Sequence, residues 1–167
     1  MRRQHRQSGG FTFIEALLAS AILLMAITAI TMPFSTAANT EQIQMRQTMA
    51  VGLAGELMEE ILSKPFADPD GASSTGPETG EAVRGGFDNM DDYDGYEEGP
   101  GELVDLEGNL VDDPVAQQLS RSISATYVYV DGQDEGLSPT FILLEVVVSY
   151  RSVPLARISR LAYAYGA

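Results

Sequence analysis

Gly9-Gly10-Phe11-Thr12-Phe13-Ile14-Glu15 runs straight into Ala16-Leu17-Leu18-Ala19-Ser20-Ala21-Ile22-Leu23-Leu24-Met25-Ala26-Ile27-Thr28-Ala29-Ile30. From residue 11 to residue 34 the only formally charged side chain is Glu15. At about 1.5 Å per residue, a helix of this length crosses a hydrocarbon core of roughly 30 Å. A carboxylate in such a helix costs about 2.5–3.5 kcal/mol at mid-membrane. A plain anchor gains nothing from it. The fold depends on what this helix carries beyond the membrane, and the function on why it keeps Glu15.

Composition narrows the field. A chain of 167 residues suits one modest domain plus a membrane segment. It has no cysteine, which excludes disulfides, thiolate metal sites and a cysteine nucleophile. Its one histidine, His5, lies in the basic N-terminal tail, so Ser-His-Asp catalysis and histidine metal sites are excluded too. A net charge of −14 argues against nucleic acid as a direct partner. Arg2, Arg3 and Arg6 precede the apolar run with no acid among them, and the positive-inside rule keeps that end cytoplasmic. The remainder then lies on the far side. Removal of the tail after Gly10 leaves −14 − 3 = −17.

Three readings of the N-terminus follow. A cleaved secretory signal would be cut near Ser35-Thr36-Ala37, but signal h-regions run only ~7–15 residues and rarely hold a glutamate. A plain signal anchor explains the length and leaves Glu15 unexplained. In the third reading, Gly10-Phe11-Thr12-Phe13-Ile14-Glu15-Ala16-Leu17-Leu18-Ala19 resembles the class III signal of type IV pilins and type II secretion pseudopilins. That signal has a short basic leader ending in glycine, then phenylalanine, a glutamate at the fifth position after the cut and an unbroken apolar run. The resemblance covers about the first thirty residues.

It implies cleavage between Gly10 and Phe11 by a prepilin peptidase, with N-methylation of Phe11. It also implies assembly with other pilin or pseudopilin subunits by an inner-membrane platform protein and an ATPase. The cut leaves an ammonium on Phe11. Residues four apart share a helix face, so Glu15 is placed to meet that charge in its own subunit or in a neighbour. Pairing at low dielectric makes the carboxylate tolerable. The plainer explanation of Glu15 is an acid satisfied by the helix dipole and interfacial water.

Further along, Pro33 is expected to kink or loosen the helix where it leaves the membrane. From Thr40 to Lys64 a second helical pattern places Ile43, Ala50, Ala54, Leu57 and Ile61 on a broad apolar stripe. Gly52 and Gly55 weaken that helix while permitting close packing, and Lys64-Pro65 ends it.

Between Pro65 and Pro114 fifteen acids face one base, Arg84. This reads as an extended loop region with short strands at most, such as Glu102–Leu106 and Asn109–Val111 joined by Glu107-Gly108. Its densest part is Phe87–Glu98. The EF-hand pattern fails there, because Gly95 at the sixth position puts Met90 at the first ligand and Gly101 at the last. A calcium site of another kind, at Asp92, Asp94, Glu97 and Glu98, stands beside the plainer reading of a solvated acidic loop. Asp91–Tyr96 also resembles a loop in some pilin-like proteins, which implies that Tyr93 and Tyr96 pin it to the body.

The β pattern comes last. Ser120–Val130 alternates, with Ile123, Ala125, Tyr127 and Tyr129 on one face. Asp131-Gly132 to Ser138-Pro139 reads as a turn. Phe141–Tyr150 is apolar on both faces except at Glu145 and Ser149, as in a central strand covered by a helix. Ser152-Val153-Pro154 reads as a second turn, and Ala156–Tyr165 as a third strand with Arg157 and Arg160 exposed.

The expected fold is α+β and pilin-like, a long N-terminal helix packed on an antiparallel β-meander. Its parts are a leader (1–10), a transmembrane helix (11–34), an amphipathic continuation (35–64), an acidic region (65–118) and a sheet (119–167). The expected function is structural rather than enzymatic, without a cofactor. The protein would be a minor filament subunit of a bacterial inner membrane with its C-terminal domain in the periplasm. The alternative is a signal-anchored periplasmic acidic binding domain that does not polymerise.

Overall fold

The computed structural model describes residues 10–69, 71, 75–81, 83–129, 131–132 and 139–163. The basic leader up to residue 9, Val130, residues 133–138 of the expected turn and Ala164-Tyr165 lie outside them. The fold is α+β, with an N-terminal apolar helix and a C-terminal antiparallel sheet of four strands. Helix α1 covers Phe13–Leu62, and the chain divides into two compact units, Met1–Ile43 and Gln44–Ala167.

In the first unit, Phe13–Thr31 has a mean hydropathy of 2.3 with none of the span buried. It is long and apolar enough to cross a membrane. Its hydroxyls are satisfied within the helix. Ser20 donates to the Leu17 carbonyl at 2.9 Å, Thr28 to Met25 at 2.9 Å and Thr31 to Ile27 at 3.0 Å. Back-bonding of this kind lowers the penalty for placing serine and threonine where no water reaches. Pro33 lies inside α1, which is helical on both sides of it.

In the second unit, Ala50, Leu53, Ala54, Leu57, Met58 and Ile61 are buried, the three- and four-residue spacing of one helix face. Ile43, expected on this stripe, is exposed, so the buried face starts a turn or two later than the pattern suggested. The glycines also differ from expectation. A Cβ at Gly52 would meet nothing within 4 Å, and one at Gly55 would only reach Ile158 Cδ1 at 4.0 Å. Close packing does not require either.

The strands are β1 (Glu97–Glu98), β2 (Leu119–Val128), β3 (Phe141–Tyr150) and β4 (Val153–Tyr163), hydrogen-bonded in that order and antiparallel throughout. In register, Ile123 pairs with Val146 and Val146 with Ile158, while Ala125 pairs with Leu144. Cross-strand partners share a face. Leu119, Ile123 and Ala125 of β2 and Ile142, Leu144, Val146 and Val148 of β3 therefore form the sheet's inner layer, in one core with the buried face of α1. On the other face Glu145 pairs with Arg157 at 2.5 Å.

The turn after β3 falls earlier than expected. Arg151 and Ser152 have φ of 49° and 65°, a two-residue connection of the left-handed kind that suits strand twist. Pro154, expected in the turn, lies in β4, where its missing N–H is tolerated because β4 is an edge strand.

Within residues 65–118, the densest part, Phe87–Glu98, is largely buried rather than a solvated loop. Three single turns of 3-10 helix, Arg84–Gly86, Asp91–Tyr93 and Ala116–Gln118, punctuate them. Arg84, Phe87, Asn89, Met90, Asp91, Asp92, Tyr93, Glu98 and Leu103 are buried. The hairpin expected at 102–111 reduces to one bridge, Val104 with Leu110. The Asp105 and Val111 amides donate to the Asn109 and Leu103 carbonyls on either side of it, each at 2.9 Å. Asp105 Oδ1 closes the turn by accepting the amides of Glu107 and Asn109, each at 2.9 Å.

Candidate functional site

Two sets of residues carry chemistry, one in each unit. At the N-terminus, Gly10 and Phe11 precede the first residue of α1, and Phe11 is 79 % exposed. A Cβ on Gly10 would touch nothing within 4 Å, so packing gives no reason for glycine there. Thr12 caps the helix. Its hydroxyl oxygen accepts the Glu15 amide at 3.3 Å and its carbonyl accepts the Glu15 and Ala16 amides at 3.1 Å. Thr12 and Glu15 thus stand in the Thr-x-x-Glu spacing of a capping box. This role of Thr12 was missed in the sequence although the spacing was visible. Glu15 is exposed, one helical turn from Phe11.

The second set is a buried ionic network. Arg84 donates through Nε to Glu60 Oε1 at 2.9 Å and through Nη1 to Glu98 Oε1 at 3.1 Å, with a further short contact from Nη2 to Glu60. Arg121 donates through Nε to Glu98 Oε2 at 2.6 Å and through Nη1 to the Leu53 carbonyl at 3.1 Å. Both arginines also reach the Val104 carbonyl, at 3.0 and 3.1 Å. Tyr93 donates to Glu60 at 2.8 Å and Tyr96 to Glu98 at 3.0 Å. Two acids and two bases thereby tie α1, the acidic region, β1 and β2 together. Arg84 stood out in the sequence only as the one base among fifteen acids, and Arg121 was not singled out.

Electrostatics follow from this wiring. Burial alone would push the Glu60 carboxyl up, but the hydrogen bonds from Arg84 and Tyr93 hold it below its ordinary value. Burial, then the Glu98 charge, pushes the Tyr96 phenol up to about 12. Tyr127 rises as well, first through burial and then through the charge of Asp91, to which it is hydrogen-bonded. Phe87 packs edge-on against Tyr93 and Tyr96, with centroids 4.9 and 5.6 Å away. These two tyrosines do pin the segment to the body.

Of the four residues expected to share a calcium ion, Asp92, Asp94 and Glu97 border one cavity and Glu98 does not. Glu98 is engaged by both arginines. Glu97, its neighbour along β1, is exposed, since successive strand residues face opposite ways. Asp94 accepts the Ala125 amide at 2.9 Å, linking the segment to β2. Asp92 is buried, and its Oδ2 accepts the amides of Asp88 and Asn89 at 2.8 and 3.0 Å.

A different trio comes together. Glu78, Glu81 and Asp92 each bring one carboxylate oxygen within 4.8 Å of the others. Desolvation, then the hydrogen bond with Glu81 and the charges of Asp68, Asp92 and Glu81, pushes the Glu78 carboxyl up to about 7. Glu81, Asp92, Asp94 and Glu97 border one cavity of about 370 Å³ whose lining includes no basic residue.

Compared with known proteins, the chain matches no protein-family model, no curated protein and no solved structure.

Proposed function

We propose that this protein is a structural subunit, of the minor kind, in a type IV pilus or type II secretion-type filament. A prepilin peptidase removes the leader at Gly10–Phe11 and methylates Phe11. The apolar half of α1 holds the subunit in the inner membrane, and the sheet-bearing unit lies in the periplasm. A platform protein and an ATPase then move it into the filament beside other subunits. The chain performs no catalysis in this reading.

The observation that carries the proposal is the register of Gly10 and Phe11, just before an exposed, capped, apolar helix, with Glu15 in its first turn. Two further features support it. The scissile bond precedes the helix, where a peptidase has access. The second half of α1 also carries a buried face that shares one core with an antiparallel sheet.

Glu15→Val tests the assembly role. The variant is expected to insert in the membrane as the parent does and to be lost from sheared or pelleted filaments at least tenfold. Incorporation at the parental level would contradict the proposed pairing of Glu15 with the Phe11 ammonium. Absence of the parent itself from filaments would favour the reading in which the protein is a signal-anchored acidic domain that never polymerises.

A further inference from the structure

β4 is the outer strand at one end of the sheet, and among the described residues no strand pairs with its free side. An open edge presents a row of unpaired backbone N–H and C=O groups, which proteins ordinarily blunt with proline, bulges or charge. In β4 the first two devices sit together at the start of the strand. Pro154 is its second residue, and the register shift against β3 falls between Val148 and Ser149, whose partners are Ala156 and Pro154. From Ala156 to Tyr163 the pairing with β3 is regular, so the free side of that stretch is a regular ladder too.

Over Ala156–Tyr163 the guard is charge, and it has one sign. From Val146 to Ala167 the chain holds Arg151, Arg157 and Arg160 and no acid, in a protein of net charge −14. Arg157 pairs in register with Val147 and Arg160 with Leu144, so the two arginines lie on opposite faces of the sheet. Arg160 is exposed and enters no ion pair among the described residues. Arg157 pairs with Glu145 and its side chain is still 57 % exposed. Leu161 and Tyr163 share the face of Arg157 and are exposed as well. Only an extended backbone can meet the ladder. Opposite charges across a strand pair stabilise it and like charges destabilise it, so the incoming strand must carry acids. The same rule disfavours β4 of a second copy, which would bring a second pair of arginines to the same edge.

We propose that Ala156–Tyr163 is a binding edge for an extended acidic segment of a partner protein, which adds to the sheet beside β4. Acids three apart in that segment face Arg157 and Arg160 on the two sides of the sheet, and an apolar residue four from the first acid covers Leu161. The ladder supplies affinity and the arginines select the partner. The inference is independent of the filament reading.

The full chain in detergent micelles would be titrated into two fluorescein-labelled peptides, with anisotropy as the readout. One is Val-Thr-Val-Glu-Thr-Val-Glu-Thr, and the other has lysine in place of both glutamates. Laid antiparallel to β4 with its first residue opposite Tyr163, the acidic peptide sets its glutamates against Arg160 and Arg157. Saturable binding of the acidic peptide, about tenfold tighter than that of the lysine peptide, is expected. A net charge of −14 acting without a specific edge would favour the lysine peptide instead. Arg160→Glu, at an exposed position, should weaken the acidic peptide about fivefold and strengthen the lysine peptide. N-methylation of the acidic peptide's ladder-facing amides should abolish binding. The proposal is overturned if wild type binds the lysine peptide as well as the acidic one, or if Arg160→Glu leaves both affinities unchanged. Parental binding by the N-methylated peptide would overturn it too, since the contact would then not be a strand addition. Self-association of the wild-type chain that disappears in Arg160→Glu would overturn it in favour of a second copy as the occupant.

Discussion

Replacing Arg121 with Met would leave Glu98 buried with Arg84 as its one remaining cation. Removing one partner of a buried ion pair costs about 3–5 kcal/mol, whereas removing both together costs much less. Arg121→Met should therefore destabilise the sheet-bearing unit by about that amount, and Arg121→Met with Glu98→Gln by clearly less. Urea titrations followed by circular dichroism would measure both.

Acid should loosen the same network. The Glu60 pKa is depressed below 4.5 on folding, so its contribution is complete above that value and is lost as pH falls through the lower folded pKa. Glu78 has the opposite sign. Its pKa is raised from 4.5 to about 7, so its contribution is complete below 4.5 and fades as pH rises through about 7. The melting temperature should thus decline between pH 4.5 and 7 as Glu78 loses its proton, and Glu78→Gln should flatten that decline. A wild-type curve without it would show that the crowding by Asp68, Glu81 and Asp92 has been overstated.

Part of this chemistry was legible in the residues. Arg121 shares the strand parity of Ile123 and Ala125, and a charge on the apolar parity of a strand signals a buried partner. Arg84, one base among fifteen acids, was a similar signal. The convergence of Glu78, Glu81 and Asp92 depends on the path of an irregular segment, which no periodicity encodes.

Among the elements, α1 and the three long strands follow directly from pattern. Apolar length marks one half of the helix, three- and four-residue spacing marks the other, and alternation marks the strands. What pattern missed was turn chemistry. Arg151 and Ser152 take left-handed angles that favour Asn or Gly, so nothing in their identity announced the turn. Pro154 drew attention to the wrong place. The helix glycines give a direct test. Because a Cβ at Gly52 meets nothing within 4 Å, Gly52→Ala should stabilise the protein. The gain expected from helix propensity is about 0.5–1 kcal/mol. A loss on denaturant unfolding would reveal a packing role for the glycine that the geometry of α1 does not contain.

For the whole molecule, the two units divide the work. One is an apolar helix whose polar atoms are satisfied internally, and the other is a core in which a helix face, a sheet and an acidic region share a buried ionic network. In the proposed filament the processed subunit, at −14 − 3 = −17, would repel its copies along a crowded homopolymer, which favours the minor role over the major one. The central claim is that the chain is processed at Gly10–Phe11 and then assembled. Intact-mass and N-terminal peptide spectrometry of the full-length protein, co-expressed with a prepilin peptidase, tests it most directly. The expected product begins at N-methylated Phe11. A product that keeps Met1, or one cut near Ala37, would contradict the account.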